Sequence, residues 1–184
     1  IQGITDHLDR TTLLYFDENG NLSRLTDPQG NAYQYSYDSE GRMLTKADPV
    51  GNTTTYGYDD FNRVTSSTTP SGTKTITYDR TTNTAAITEQ NGGVWRYTYD
   101  PILNVIVKIV DPEGHITTKA YDENRNLISE IDALGNTTAY TYDDSGNVLT
   151  TTNPAGQTST YTYNTFGQVT SITGIDGNTT TYKY

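Results

Sequence analysis

The chain has no cysteine. Disulfides, thiolate catalysis and cysteine-based metal sites are therefore excluded. Conventional core residues are scarce too: Leu, Ile, Val and Phe number 10, 12, 8 and 3 among 184 residues, or 18%. That lies under the roughly 20% below which disorder becomes a live expectation. No apolar run approaches the roughly 20 residues of a membrane-spanning helix. Residues 1–6 show no basic segment leading into an apolar stretch, so no signal peptide is expected. Positive charge is short as well. Twelve Lys and Arg against 22 Asp and Glu leave a net charge of -10, which repels phosphate backbones and argues against a nucleic-acid partner.

What is abundant is Thr, with 36 copies, and Tyr, with 16. Both favour strands and both are rare in disordered segments. They are not scattered. An aromatic residue precedes a turn at Phe16, Tyr37, Tyr58, Tyr78, Tyr99, Tyr121, Tyr142, Tyr163 and Tyr184, in steps of 21 except for one 20 and one 22. Between them run Gly30, Gly51, Gly72, Gly93, Gly114, Gly135, Gly156 and Gly177, every step 21. Internal repetition of this kind dictates the architecture. The copies opening at Tyr78 and Tyr99 are degenerate. Ile1 and Tyr184 both fall inside a unit, so the chain reads as a single array of about eight and a half units, with no separate domains and with both ends cut mid-unit.

Each unit carries two turn signals and two strand signals. The first turn follows the aromatic, as in Asp38-Ser39-Glu40-Gly41-Arg42 and Asp143-Asp144-Ser145-Gly146-Asn147. The Asp side chain can accept a bond from its own backbone two residues on, and Gly supplies a positive φ. The second turn is of the form Asp48-Pro49-Val50-Gly51 or Asp111-Pro112-Glu113-Gly114, the residue pattern of a type I turn with a left-handed glycine suited to a hairpin bulge. Five of the six prolines occupy its second position, outside strand interiors. The runs between turns are too short and too β-branched for helices. Paired tyrosines such as Tyr140 and Tyr142 are two apart and share a strand face. The expected fold is all-β, a continuous antiparallel up-and-down ribbon of about 17 short strands, two per unit, that coils because twisted sheets cannot stay flat. The positions expected to hold it are Tyr37, Asp38, Gly51, Tyr58, Gly114, Tyr121, Asp122, Gly135, Tyr142, Asp143, Gly156 and Tyr163.

The repeated Tyr-Asp-x-x-Gly-Asn/Arg-Leu/Val, then Asp-Pro-x-Gly-Asn, then Thr-Thr-x-Tyr-x-Tyr, resembles the YD repeat of RHS proteins across the whole chain. That family includes bacterial Rhs effectors, Tc-toxin C components, wall-associated toxins and animal teneurins. The resemblance implies part of a hollow β-shell. It also implies a secreted or cell-surface setting in a bacterial effector or toxin complex. The implied partners are an enclosed C-terminal toxin domain and the rest of the shell. The family's self-cleaving aspartates have no counterpart here. The Asp-Pro-x-Gly segments recur as turns, so autoproteolysis is assigned to no residue.

Other chemistry is weakly signalled. Acidic turns such as Asp17-Glu18-Asn19 offer oxygens to Ca²⁺, but the EF-hand and RTX patterns are absent and turn formation accounts for the acids in every unit. His7 and His115 stand five units apart, and Trp95 is the only tryptophan. No catalytic, cofactor or metal set is expected, and the chain reads as non-enzymatic. The alternative is a carbohydrate- or cell-surface-binding module using its Tyr faces, with Tyr140 and Tyr161 as natural contacts. Open sheet edges also favour self-association.

Overall fold

The computed structural model describes residues 1–184. It contains eighteen β-strands and no helix. Contacts group the chain into two compact units, Ile1–Thr77 with Ile87–Gly93, and Tyr78–Ala86 with Val94–Tyr184. The first holds β1 (Gln2–Thr5), β2 (Thr11–Phe16), β3 (Leu22–Thr26), β4 (Ala32–Tyr37), β5 (Met43–Ala47), β6 (Thr53–Tyr58), β7 (Val64–Thr69) and most of β8 (Gly72–Asp79). After β9 (Thr84–Thr88), the second holds β10 (Val94–Asp100), β11 (Val105–Val110), β12 (Ile116–Tyr121), β13 (Leu127–Ile131), β14 (Thr137–Tyr142), β15 (Val148–Thr152), β16 (Thr158–Tyr163), β17 (Val169–Thr173) and β18 (Thr179–Thr181).

Within each unit, consecutive strands pair antiparallel, as short turns require. The register contains a device that the sequence pattern did not announce. Tyr35 faces Lys46 and Ser36 faces Thr45, but Tyr37 faces Met43, so Leu44 is an extra residue. The same β-bulge sits at Ser23, Thr65, Ile128, Leu149 and Thr170, each the second residue of its strand. In β11 the bulge falls one residue later, at Val107.

The bulge sets the stagger. Tyr35 faces Lys46, and Lys46 faces Thr54 on β6, yet the repeat equivalent of Tyr35 is Tyr56. Equivalent residues therefore climb two positions for every two strands. That is about 6.6 Å of climb over about 9.6 Å of sheet, a strand tilt of roughly 35°, within the range at which sheets curl. Because the climb is an even number, each tyrosine keeps to the same face as its predecessor.

The two faces differ in chemistry. One carries Tyr33, Tyr35, Tyr37, Met43, Tyr56, Tyr58 and Val64, and in the second unit Tyr140, Tyr142, Val148, Tyr161, Tyr163 and Val169. The other carries rows of hydroxyls. Ser36, Thr45, Thr55, Thr68 and Thr73 stand opposite one another across β4 to β8. Thr141, Thr150, Thr160, Thr173 and Thr179 do so across β14 to β18. Many of these pair directly, as in Ser36–Thr45 at 2.6 Å, Thr68–Thr73 at 2.9 Å and Thr141–Thr150 at 2.7 Å. Such pairs are the sheet's unit of cross-strand stabilisation. The ring face is the better covered: Thr54 on it is half-buried, while Thr53 and Thr55 on the hydroxyl face are exposed. No residue is fully buried. Within each unit the contacts run between consecutive strands of one sheet, which is why so few Leu, Ile, Val and Phe suffice.

Candidate functional site: the turn cassette and the tyrosine ladder

Nearly every hairpin is closed by one five-residue cassette. In Asp143–Asn147 the Asp143 N–H donates to the Asn147 carbonyl, and the Gly146 N–H donates to the Asp143 carbonyl. Asp143 Oδ1 accepts the backbone N–H groups of Ser145 and Asn147, at 3.0 and 2.8 Å, while Oδ2 accepts the Asn147 side-chain amide at 2.9 Å. Asp122 repeats the arrangement with Asn126, and Asp38 repeats it with the Arg42 guanidinium at 2.6 Å. The second turn of the unit uses the same bonds, as at Asp48–Asn52 and Asp132–Asn136. The two ends of the unit thus look different in sequence but are the same object. Where Asn replaces Asp, at Asn153 and Asn164, Gln replaces Asn four residues on and its carbonyl accepts instead.

These bonds hold the carboxylates ionised. Asp143 titrates below its ordinary value because the Asn147 side chain and backbone stabilise the charged form. At Asp38 partial desolvation pushes upward and is outweighed by the backbone and guanidinium of Arg42 and the Glu40 N–H. The oxygens that might serve Ca²⁺ are thereby engaged within their own turn. The glycines Gly51, Gly114, Gly135 and Gly156 adopt φ of 92°, 90°, 84° and 78°. Nothing lies within 4 Å of where a Cβ would sit on any of them, so backbone conformation, not space, calls for glycine there. Asn62, Arg125 and Asp9 adopt positive φ at the equivalent turn position.

The opening tyrosines form a ladder. The hydroxyls of Tyr37, Tyr58, Tyr142 and Tyr163 donate to the carbonyls of Leu22, Met43, Leu127 and Val148, at 3.0, 2.8, 2.8 and 2.8 Å. Each acceptor is the first residue of a bulged strand, 15 residues back. Each ring thus spans from its own cross-strand partner to the preceding unit. Burial raises the Tyr37, Tyr142 and Tyr163 hydroxyls above their usual range, with a neighbouring Tyr and an Asp adding to it. Tyr121 faces Leu127 in the same way but makes no such bond. The bulge of the preceding strand, β11, lies one residue later. Sequence reasoning found the rings and missed their acceptors, since a carbonyl leaves no residue signature.

The remaining candidates are local. His115 Nδ1 lies 2.7 Å from Asp111 Oδ2, so this histidine fills the cassette's last position. Glu113 brings a third ligand atom within 4.8 Å of those two. Trp95 is half-buried on β10. No helix is long and apolar enough to cross a membrane.

The profile of the RHS repeat matches residues 16–53, 44–74, 126–158 and 142–179. The chain belongs to the RHS repeat family. Among solved structures, this RHS array is similar to a mutant Tc holotoxin pore of Photorhabdus luminescens, with TM-score 0.59 and 17% identity, over 89% of this chain and 12% of that one. It is also similar to TcdB2-TccC3 without its hypervariable C-terminal region, with TM-score 0.59 and 16% identity, over 99% of this chain and 12% of that one. At such identities the likeness is one of fold. The RHS array spans only that 12% of either chain's length. No curated protein matches it.

Proposed function

We propose that this RHS array is a length of wall in a hollow β-shell that encloses and shields a C-terminal toxin or effector cargo, as a non-enzymatic part of a secreted bacterial toxin. The 184 residues act as one continuous array within that wall, with the twelve turn and ladder positions named above as its fasteners. One observation carries the reading. The same self-satisfied cassette closes hairpin after hairpin, in a family whose solved relatives in fold are components of Tc toxins. A wall of this kind isolates by hydrogen-bonded continuity and needs no specialised unit. The partners are the cargo and the flanking shell, reached through the sheet edges. A repeat-wide carbohydrate surface is the poorer reading, because four opening tyrosines spend their hydroxyls on backbone carbonyls. The test is limited proteolysis of the full-length parent protein. Its C-terminal region is expected to resist protease until the shell is unfolded. Digestion at the rate of the same region expressed alone would overturn the proposal.

A further inference from the structure

Two cassettes carry a carboxylate at both their first and third positions: Asp38-Ser39-Glu40-Gly41-Arg42 and Asp111-Pro112-Glu113-Gly114-His115. In the first, a cation fills the space between the two carboxylates. Arg42 Nε lies 2.6 Å from Asp38 Oδ2, and Arg42 Nη1 lies 3.4 Å from Glu40 Oε2. In the second, both carboxylates remain but an imidazole replaces the permanent cation. His115 Nδ1 lies 2.7 Å from Asp111 Oδ2. One ligand atom from each of Asp111, Glu113 and His115 falls within 4.8 Å of the other two. The Asp111 side chain is 22% exposed and that of His115 62%, so the cluster is anchored at the aspartate and open to solvent at the histidine. No other cassette has histidine at its fifth position.

We infer that Asp111, Glu113 and His115 bind a divalent transition-metal ion of the zinc class. The repeat supplies the argument for a cation, because at Asp38 and Glu40 the same two positions already hold a positive charge. The histidine supplies the argument for its class. One imidazole nitrogen with two carboxylates is a mixed nitrogen and oxygen set, which suits Zn²⁺ better than the all-oxygen shell that Ca²⁺ takes. Three protein ligands leave a fourth tetrahedral position for water. Asp111 is fixed before any ion arrives: its Oδ1 accepts the backbone N–H groups of Glu113 and His115, at 3.0 and 2.8 Å, which leaves Oδ2 for the ion. Zinc bonds of about 2.0–2.2 Å set neighbouring ligand atoms roughly 3 Å apart. The Nδ1–Oδ2 pair therefore needs little adjustment, and the exposed Glu113 side chain swings in to close the set. On binding, Nδ1 exchanges its contact with Oδ2 for the ion, and a proton carried there passes to water. This site is independent of the shell reading: it belongs to the hairpin of β11 and β12, and the wall does not need it.

The test is calorimetric titration of the protein with zinc chloride, with calcium chloride as the control, together with NMR of the two histidine rings. Saturable binding of Zn²⁺ is expected, with shifts at the His115 ring and none at His7. Melting temperature should rise as Zn²⁺ is added. His115→Asn places at this position the residue found at Asn136 in the matching turn one unit on, so it should fold normally by circular dichroism. It should weaken Zn²⁺ binding about tenfold or more. Glu113→Gln should weaken it as well, and His7→Asn should leave it unchanged. The inference is overturned by the lack of saturable Zn²⁺ binding, by equal affinity for Ca²⁺, or by wild-type affinity in His115→Asn or Glu113→Gln.

Discussion

The stretches of regular 21-residue spacing and the irregular stretch around residues 69–111 obey different rules. In the regular stretches, cassette, bulge and tyrosine bond occur together, unit after unit. Between them, Thr69 faces Gly72 directly across a two-residue turn, with Gly72 at a φ of 141°. Asp100 closes a longer loop through Asn104, and β11 bulges late. The strands still form, because Thr, Val, Ile and Tyr favour them wherever they fall. The ladder bond is more exacting: Tyr121, which follows the late bulge of β11, does not make it, because the bond needs a carbonyl at a fixed height. Strand formation in this protein is therefore local and tolerant, while the connection from unit to unit is geometric and strict.

The hardest blow to the regular pattern is deletion of Leu149. Without the extra residue, β15 cannot be in register with both β14 and β16, and one set of side chains must change face. Loss of the cooperative thermal transition is expected, whereas deleting Asn91 in the irregular stretch should leave one. Acid comes next, because it acts on many cassettes at once. The folded pKa values of the cassette aspartates lie below the ordinary 3.8, so their stabilisation is complete above that value and is lost as pH falls through the folded ones. Melting temperature should therefore hold down to about pH 4 and then fall. Converting Asp143 and Asn147 to the Asn–Gln pair found at Asn164 and Gln168 should soften that fall; an unchanged acid profile would count against the account.

A smaller effect separates conformation from space. Gly146→Val forces a β-branched residue to a φ of 82° and should cost about 1–2 kcal/mol in denaturant melts. Gly146→Asn should cost much less, as Asn62 adopts a φ of 62° at the matching position. The smallest effect is the sharpest for the comparison. Tyr142→Phe removes the bond to Leu127 and should cost about 1 kcal/mol, whereas Tyr121→Phe should be neutral. Equal losses at both would break the claim that the late bulge disables the ladder.

Much of this was legible in the residues. The period of Tyr and Gly, the Asp-Pro-x-Gly turns and the absence of a conventional core led to an all-β ribbon, and the family follows from the same motif. Turn chemistry is local, so Asp38, Asp122 and Asp143 could be placed from sequence spacing alone. The bulges could not. Ser23, Leu44, Thr65 and Ile128 are four different residue types, because a bulge answers to the register of two strands and not to its own side chain. For the same reason, the hydroxyl rows and the carbonyls beneath the tyrosines emerged only in three dimensions. Sequence by itself determined which residues turn and which extend, since those preferences belong to single residues and their near neighbours. The tertiary structure alone decided which strand meets which, one bulge out of step, and hence where every ring comes to rest.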